Sequence, residues 1–321
     1  MLKVTTLSTE PAKFTDTLSL IEKEFGYSSE FSFKTDFAPL MQESNFHNLY
    51  ILLDNDEVVG HTGLLLKEIE IGNTSYTIGL IGGVVIKSTH QGKGYSKLLL
   101  DKVCENKDIS FYLLWSDKTD YYKKFNFYPC IQQFQYEQAN CQSEYERSEL
   151  TDEIISELQV LYNNGQEIRF ERTPEDWQNI KKITSTDLYL KKENGKAINY
   201  FFINKGQDLQ TIIHEYHRPE KEMLNFGYLW TPTLLNGLAP THQYAALLRV
   251  NNIVSFKQFI KSITNNSIEV ENMDNFEVAF KFNNQTFKQN IDEFLTGVFG
   301  PSRFEELEGL PYLYISGLDS I

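Results

Sequence analysis

Residues 82–100 read GGVVIKSTHQGKGYSKLLL, and this stretch decides how the first part of the chain is interpreted. Its apolar beginning predicts a strand, and its end has the leucine spacing of an amphipathic helix. Between them, Gly92 and Gly94 would let the backbone approach a ligand closely, and the unpaired N–H groups of the helix start would attract an anion. Lys93 adds a positive charge at the same place. The stretch therefore predicts a site for a pyrophosphate group.

The segments on either side of this loop predict a small mixed sheet. Residues 15–25 have the apolar spacing of a helix, and three strands joined by tight turns follow before the glycine loop. A short apolar run after the second helix predicts a buried strand, parallel to the strand that precedes the loop. The predicted strands are residues 48–53, 57–71, 75–87 and 111–115. A nucleotide-hydrolase phosphate loop would end in Gly-Lys-Ser or Gly-Lys-Thr, and a dinucleotide-binding fold would need strands alternating with helices upstream, so neither pattern fits.

The composition of the chain limits the classes of protein and partner. A length of 321 residues predicts two or three domains, and a hydrophobic content of 41% is enough to fold them. A formal net charge of -14 argues against nucleic-acid binding; it would favour cationic partners such as amines, or serve solubility alone. Cys104, Cys130 and Cys141 have neither disulfide nor zinc-ligand spacing, so no metal is expected. No signal peptide or membrane-spanning run is recognisable, so we expect a cytoplasmic protein without a membrane partner.

The loop resembles motif A of the Gcn5-related N-acetyltransferase (GNAT) superfamily, usually written Arg/Gln-x-x-Gly-x-Gly/Ala. Here it reads Gln91-Gly92-Lys93-Gly94-Tyr95-Ser96, in which Ser96 departs from the usual residue at the last position. The resemblance implies that the loop amides bind the pyrophosphate of acetyl-coenzyme A and that the preceding strand pairs with its pantetheine arm. The coenzyme-binding residues assigned in this way are Val84, Val85, Ile86, Gln91, Gly92, Lys93, Gly94, Tyr95, Ser96 and Ser116.

A second motif lies at the expected distance downstream. Residues 121–127 read YYKKFNF and resemble the family's Phe-Tyr-x-x-x-Gly-Phe element, with Tyr122 at the position of the tyrosine. The resemblance implies that Tyr122 protonates the departing coenzyme A thiolate, a role for which a phenol has a suitable pKa. Asn126 replaces the usual glycine, and asparagine also tolerates a left-handed backbone. The alternative is that Tyr122 is one more packing aromatic in a tyrosine-rich chain.

The general base is not identified by the sequence. Residues 82–89 contain no carboxylate, although many members of the family carry a glutamate on this strand. Glu68, Glu70 and His61 on the preceding strand are candidates by proximity alone, and each is also explained as a solvated or structural residue. A backbone N–H near Val84 or Val85 is expected to stabilise the oxyanion.

The layout of the whole chain resembles the enhanced intracellular survival family of acetyltransferases. Residues 172–177 (RTPEDW) are similar to that family's second domain, and residues 244–250 (YAALLRV) are similar to its third. The family joins an active acetyltransferase domain to a catalytically empty one and a sterol-carrier-like one, although the middle region here is short for a full second copy. The expected fold class is therefore α/β (α+β), with a GNAT fold whose mixed sheet is mostly antiparallel. The expected domains are a GNAT domain (1–135), a glutamine-rich linker (136–150, polar from residue 132), a truncated second α/β region (151–235) and a sterol-carrier-like α+β domain (236–321).

The end of the chain is a further candidate for the active site. In that family the terminal carboxylate, usually of an aromatic residue, enters the active site and is proposed as part of the base; here Ile321 occupies that position. A docked tail would place Asp319 beside this carboxylate and make an acidic pocket for a polyamine or an aminoglycoside-like amine. The alternative is a terminus that frays in solvent.

These observations predict an N-acetyltransferase that moves acetyl from acetyl-coenzyme A to the primary amine of a small cationic acceptor or of a lysine, by direct attack. The expected catalytic residues are Tyr122 and Ile321. A second hypothesis is a non-catalytic sensor or scaffold that binds coenzyme A, which the missing strand glutamate and Asn126 favour. A third, an aminoacyl transferase that uses aminoacyl-tRNA, is disfavoured by the charge of -14. The expected partner is a small-molecule or peptide amine, and self-association into a homo-oligomer is left open.

Overall fold

The structure, a computed structural model, describes all residues from 1 to 321 and contains two compact units. Each unit combines helices with strands, so the expected α/β (α+β) class is confirmed. Neither unit is one continuous stretch of sequence, and the linear boundaries at residues 135, 150 and 235 stay predictions. Unit 1 comprises Met1–Pro129, Ala246–Ile291 and Ser320–Ile321, and unit 2 comprises Cys130–Ala245 and Asp292–Asp319.

The strands and α-helices are numbered in chain order. The strands are β1 (Leu2–Thr6), β2 (Leu49–Asp54), β3 (Glu57–Ile71), β4 (Thr74–Ile86), β5 (Phe111–Leu114), β6 (Tyr128–Tyr136), β7 (Glu146–Ser148), β8 (Asp187–Glu193), β9 (Lys196–Ile203), β10 (Ile212–Tyr216), β11 (Tyr228–Thr231), β12 (Thr241–Val250), β13 (Ile268–Met273), β14 (Glu277–Phe282) and β15 (Gln285–Asn290). The helices are α1 (Phe14–Glu24), α2 (Phe33–Asp36), α3 (Ala38–Met41), α4 (Tyr95–Val103), α5 (Thr119–Lys123), α6 (Asp152–Asn163), α7 (Pro174–Lys181), α8 (Ile253–Ile263) and α9 (Ile291–Phe299). None of these helices has the length and apolar character that crossing a membrane requires.

Unit 1 is built on an antiparallel meander that continues into one parallel pair. Its first strands lie in the order β1, β2, β3, β4 and β5, and all neighbours are antiparallel except β4 and β5. The turn between β2 and β3 has Asn55 and Asp56 at positive φ, and Gly72 turns β3 into β4 with φ of 63°. These residue types accept that backbone conformation most readily, and the predicted tight turns are confirmed.

The helix that follows the glycine loop fixes the end of β4. Leu99 on α4 is fully buried and packs with Leu52, Val59 and Ile86, one from each of three neighbouring strands. Burying a leucine side chain contributes about 2 kcal/mol. The parallel pairing of β4 with β5 stops at Ile81, whereas β4 continues to Ile86. The last residues of β4 therefore have a free edge close to the start of α4.

The segment 246–291 completes unit 1. Residues 247–250 of β12 pair antiparallel with β5, and α8 places Phe256 and Phe259 against Phe111 at ring-centroid distances of 5.7 and 5.1 Å. Strands β13, β14 and β15 form a separate small antiparallel sheet. Part of the predicted third domain thus packs onto β5, and its sterol-carrier-like character stays a prediction.

Unit 2 contains its own mixed group of strands. Their order is β6, β11, β10, β9, β8 and β7, with β10 and β11 parallel and the other pairs antiparallel. Strands β8 and β9 form a hairpin whose turn has Asn194 and Gly195 at positive φ. Phe201, Ile213 and Leu229 are fully buried in the core of this unit.

Strands β6 and β1 differ from the sequence-based expectation. The sequence predicts a linker that is polar from residue 132, but β6 extends to Tyr136. Glutamines alternate there with Phe134 and Tyr136, which are buried, and Gln135 accepts a hydrogen bond from the Trp230 indole N–H at 2.9 Å. The glutamine-rich composition concealed a strand of period 2. Strand β1 is also absent from the prediction, because a short, half-exposed edge strand carries little hydrophobic signal.

Candidate active site

A cleft of about 440 Å³ opens in unit 1 at the end of β4, the glycine loop and α5. This volume is within the usual range of small-molecule sites. The structure brings together there two motifs that a helix and a strand separate in the sequence. The predicted site residues in the lining are Val84, Ile86, Gln91, Gly92, Gly94, Tyr95, Ser96 and Tyr122.

The glycine loop takes its shape from two left-handed residues. Gly92 has φ of 76°, and Gly94, the residue that caps α4, has φ of 79°. No heavy atom lies within 4 Å of the position that a Cβ would take at either glycine, so backbone conformation and not crowding requires glycine. The Gln91 side chain donates to the Ile86 carbonyl at 3.1 Å and ties the loop to the end of β4. The unpaired N–H groups at the start of α4 are thereby held at the cleft.

The lining of the cleft is basic in an acidic chain. Lys97 and Lys118 line it and no aspartate or glutamate does, whereas the whole chain has a net charge of -14. Together with the positive end of α4, these lysines favour a polyanionic ligand such as a diphosphate. Lys97 also pairs with Asp101, one turn further along α4. The chain holds no cluster of three or more His, Cys, Asp or Glu side chains suited to a metal ion.

Three predicted coenzyme-binding residues lie outside this lining. Val85 is buried and pairs with His61 across the β3–β4 ladder. Lys93 is exposed to solvent. Ser116 belongs to the turn before α5, where its hydroxyl accepts a hydrogen bond from the Lys118 N–H at 3.1 Å. The side chains of these three residues therefore do not shape the cleft.

Tyr122 lies on α5 and is only 8% exposed. Its ring packs edge-to-face against Tyr121 and Phe127, with centroid distances of 5.1 and 6.2 Å. Burial raises the pKa of Tyr122, so its hydroxyl keeps its proton at neutral pH and can act as an acid. Asn126 has φ of 63°, which confirms the left-handed turn predicted at this position.

A β-bulge interrupts β4 next to the cleft. Gly63 pairs with Gly82 and His61 pairs with Val85, so between these pairs two residues of β4 face one residue of β3. Gly83, within the bulge, has φ of 60°. A residue with a side chain would be strained at this position.

His61 holds the bulge through its ring. The side chain is fully buried, and Nδ1 lies 2.8 Å from the Gly83 carbonyl oxygen. Because a carbonyl oxygen only accepts, Nδ1 must carry the proton, and Nε2 is a bare lone pair without a protein partner. Burial lowers the pKa of His61 to about 4, so the ring is neutral at pH 7. His61 therefore suits a structural bond better than the proton uptake that a general base performs.

The C-terminal residue lies against the same bulge. A Cβ on Gly82 would be 2.5 Å from the Ile321 carboxyl carbon and 2.7 Å from its oxygen. Only a glycine at position 82 leaves this space. Ile321 is 8% exposed, so the tail is docked and does not fray. Gly82 in turn is two residues before Val84, which lines the cleft.

The other acidic candidates do not reach the cleft. Glu68 pairs with Thr77 across the ladder and accepts a hydrogen bond from its hydroxyl at 2.7 Å. At about 3.3 Å per residue, Thr77 lies roughly 20 Å from the bulge along β4, and Glu70 is farther still. The expectation that Asp319 contributes to an acidic acceptor pocket is wrong, because its carboxylate is bonded to Arg172 at 2.7 Å.

Five lining residues are absent from the sequence-based prediction. Lys97 lies in the first turn of the predicted helix, and Tyr121 and Phe125 belong to the second motif, so the sequence placed these three residues near the site. Neither motif states which of its side chains face the ligand, so the sequence could not select them. They are His90, Lys97, Lys118, Tyr121 and Phe125.

Residues 7–130 match a family model described as an acetyltransferase (GNAT) domain. The match covers less than half of the chain and includes both motifs, the β4 bulge and every residue that lines the cleft. This stretch is therefore a domain of the GNAT superfamily. No curated protein sequence matches the chain.

Solved structures show that the likeness in fold extends beyond this domain. A conserved protein of unknown function from Enterococcus faecalis V583 has a TM-score of 0.60 at 10% identity, over 90% of this chain and 85% of that one. A GCN5-related N-acetyltransferase from Anabaena variabilis ATCC 29413 has a TM-score of 0.58 at 13% identity, over 90% and 85%. Eis1 from Mycobacterium abscessus has a TM-score of 0.56 at 9% identity, over 89% and 85%. At these identities the likeness shows a shared fold only.

Replacing Gly94 with valine is expected to weaken coenzyme A binding by about tenfold or more. A residue with a side chain at this φ is strained by about 1–2 kcal/mol, and each 1.4 kcal/mol of lost binding energy is roughly a factor of ten. Titration calorimetry with coenzyme A measures the effect. Gly72→Val is the matched control, because Gly72 also has positive φ and open space for a Cβ but lies in the β3–β4 turn. Equal affinities for the two variants would contradict the role of the loop.

Acid is expected to destabilise the protein partly through His61. In the unfolded chain the His61 ring takes up a proton near pH 6.5, whereas in the folded protein it does so only near pH 4. The contribution of His61 to the free energy of unfolding therefore has its full value above pH 6.5 and falls as the pH drops towards 4. It amounts to about 2 kcal/mol between pH 7 and pH 5. His61→Gln keeps a side-chain donor for Gly83 and removes the titration. Thermal melts between pH 5 and pH 7 should show a smaller loss of Tm in the variant, and an unchanged slope would speak against a buried neutral imidazole.

Proposed function

We propose that the chain is an acetyl-coenzyme A-dependent N-acetyltransferase that acts on the primary amine of a small cationic acceptor or of a lysine. The single observation that carries the proposal is the cleft in which the glycine loop, the free end of β4 and Tyr122 meet. The GNAT domain over residues 7–130 supports acyl transfer from a coenzyme A thioester as the general chemistry.

The cleft fits the donor substrate by charge and by shape. The N–H groups at the start of α4, together with Lys97 and Lys118, would hold the diphosphate. Residues 84–86 have a free strand edge, which would pair with the amides of the pantetheine arm. In this arrangement the thioester lies beside Tyr122.

The reaction needs an oxyanion donor, an acid and a base. As the amine nitrogen bonds to the thioester carbonyl carbon, the backbone N–H of Val84 would donate to the carbonyl oxygen, where negative charge develops. Tyr122 would give its proton to the sulfur as the C–S bond breaks. The base would take a proton from the amine nitrogen and return it to the Tyr122 oxygen, so that the products are an acetamide and a free thiol.

Ile321 is the base in this proposal. Its carboxyl group lies against Gly82, on the strand that carries the oxyanion donor. A carboxylate there would attract the ammonium form of the acceptor, which loses one proton to solvent before the free amine attacks. The carboxylate would then accept a proton from the nitrogen once bond formation has made that nitrogen acidic. His61 is less suited, because burial lowers its pKa to about 4.

The proposal extends to the layout of the chain. It assigns the whole chain to the enhanced intracellular survival type, with a sterol-carrier-like domain at residues 236–321. The fold shared with Eis1 over 89% of this chain supports the layout. An amine acceptor as partner and a cytoplasmic location are parts of the same proposal.

A thiol-release assay with acetyl-coenzyme A tests the proposed activity. A polyamine, an aminoglycoside and a lysine peptide would serve as acceptors, and mass spectrometry would identify the acetylated product. Thiol release that depends on at least one of these amines supports the proposal. Coenzyme A binding without turnover on any acceptor would favour the non-catalytic sensor, and no binding at all would contradict both.

Tyr122→Phe is expected to lower kcat about 10²- to 10⁴-fold while the affinity for coenzyme A stays within about twofold. Phenylalanine keeps the ring packing against Tyr121 and Phe127 and removes only the proton donor. Tyr121→Phe is the control, because it removes a second phenol from the same cleft. Steady-state kinetics and calorimetry measure the two quantities. Similar kcat values for both variants would argue against Tyr122 as the acid.

Gly82→Ala is expected to lower kcat with little change in coenzyme A affinity. The added methyl group would lie 2.5 Å from the Ile321 carboxyl carbon, so the end of the chain must move. Deleting Ile321 in the same variant should cause little further loss, because both changes remove one interaction. A Gly82→Ala protein with the kcat of the wild type would show that the position of this carboxylate does not matter.

A further inference from the structure

The tail, residues 312–321, is held by polar contacts that the proposed reaction does not itself use. The Tyr314 hydroxyl donates to the His214 carbonyl at 2.7 Å, and the Gly317 N–H donates to the same oxygen at 3.1 Å. The Lys205 ammonium donates to the Gly317 carbonyl at 2.7 Å. Tyr314, His214 and Lys205 are all buried, so the tail is a packed part of the fold.

Arg172 joins the tail to strand β10. Its buried guanidinium donates to Glu215 on β10 at 2.7 Å and to Asp319 in the tail at 2.7 and 3.3 Å. The Ser316 hydroxyl donates to the Glu215 carboxylate as well. Two tail residues, Ser316 and Asp319, thus belong to one buried network of charges.

The position of Arg172 is fixed from several directions. Its guanidinium carbon lies 4.1 Å from the centroid of the Tyr162 ring and 4.9 Å from that of Trp177. Burial lowers the pKa of Arg172, but the negative charges of Asp319 and Glu215 raise it by more, so the net shift is upward. A buried ion network is a weak source of stability. Its forked geometry, however, defines one position for the residues that it joins.

The ion pair of Asp319 limits where the last residue can lie. Only Ser320 separates Asp319 from Ile321, so their Cα atoms are at most about 7.6 Å apart. The Ile321 carboxyl group lies against Gly82, where even a methyl group has no room. A misplacement of about 1 Å in a reacting group can lower a rate about 10²-fold.

We infer that Arg172 and Asp319 are positioning residues, whose buried ion pair holds the tail so that the Ile321 carboxylate stays against Gly82. The inference rests on the proposed function, in which that carboxylate is the base. Arg172 and Asp319 do not touch the reacting atoms; both act through Ile321.

Asp319→Asn tests the inference. The variant keeps the shape of the side chain, and Arg172 keeps Glu215 as its counterion, so the fold is expected to survive. Hydrogen exchange of the tail peptide is the first measurement, because the amides of Gly317 and Leu318 are hydrogen-bonded in the docked tail. We expect exchange in this peptide to be about tenfold faster in the variant, with little change elsewhere.

The second measurement is steady-state thiol release. We expect kcat of Asp319→Asn to fall about 10²-fold. Coenzyme A affinity should stay within about twofold of the wild type, because the glycine loop is untouched. Combining Asp319→Asn with Gly82→Ala should lower kcat little beyond the stronger single variant, since both displace the same group.

Lys191→Met is the matched control. It removes partly exposed ion pairs with Glu144, Glu220 and Glu222, at 3.3, 3.4 and 2.9 Å, and none of these partners is a tail residue. It should lower Tm without altering tail exchange or kcat. Unchanged tail exchange in Asp319→Asn, or faster exchange with unchanged kcat, would overturn the inference. If the wild type shows no turnover, the proposed function fails, and hydrogen exchange then decides by itself whether the ion pair holds the tail.

Discussion

Gly82 and Gly83 leave two consecutive positions of β4 without side chains, and the geometry around the cleft depends on that gap. At Gly83 the backbone takes a positive φ, and two atoms of the His61 ring lie 3.0 Å from the position that a Cβ would take. At Gly82 the space is taken by the carboxyl group of Ile321. The bulge falls just beyond Ile81, where the pairing of β4 with β5 has stopped, so two departures from a regular sheet coincide. A side chain at Gly82 would have to displace the carboxyl group, and a side chain at Gly83 would strain the backbone and crowd the imidazole.

Much of unit 1 can be predicted from local sequence, because residues with unusual backbone preferences set its shape. Gly92, Gly94 and Asn126 all adopt the positive φ that their residue types favour. The β3–β4 hairpin follows from two long apolar runs interrupted by a turn at Gly72. A feature that depends on backbone conformation involves only a few neighbouring residues, and it can be recognised before the fold is known.

The contacts of the tail could not be predicted, because they join residues far apart in the chain. Arg172 and Asp319 are separated by 147 positions, and nothing around either residue indicates its partner. From the sequence, Asp319 is expected to bind an amine because it lies next to the chain end. In the folded protein its carboxylate is buried in an ion pair with Arg172. Strand β6 shows the same limit: its glutamines have the composition of a linker until neighbouring strands on both sides supply burial.

The negative charge of the whole chain and the positive charge inside the cleft act over different distances. The net charge of -14 belongs to the whole molecule, but in a solution of physiological ionic strength the field of those charges decays over about 8 Å. Lys97 and Lys118 act inside the cleft, at shorter range. A polyanion that reaches the cleft therefore meets two lysines there, of which Lys97 is paired with Asp101. Dissolved salt shortens the reach of the surface charges, so the contacts that an anion makes inside the cleft decide how strongly it is held there.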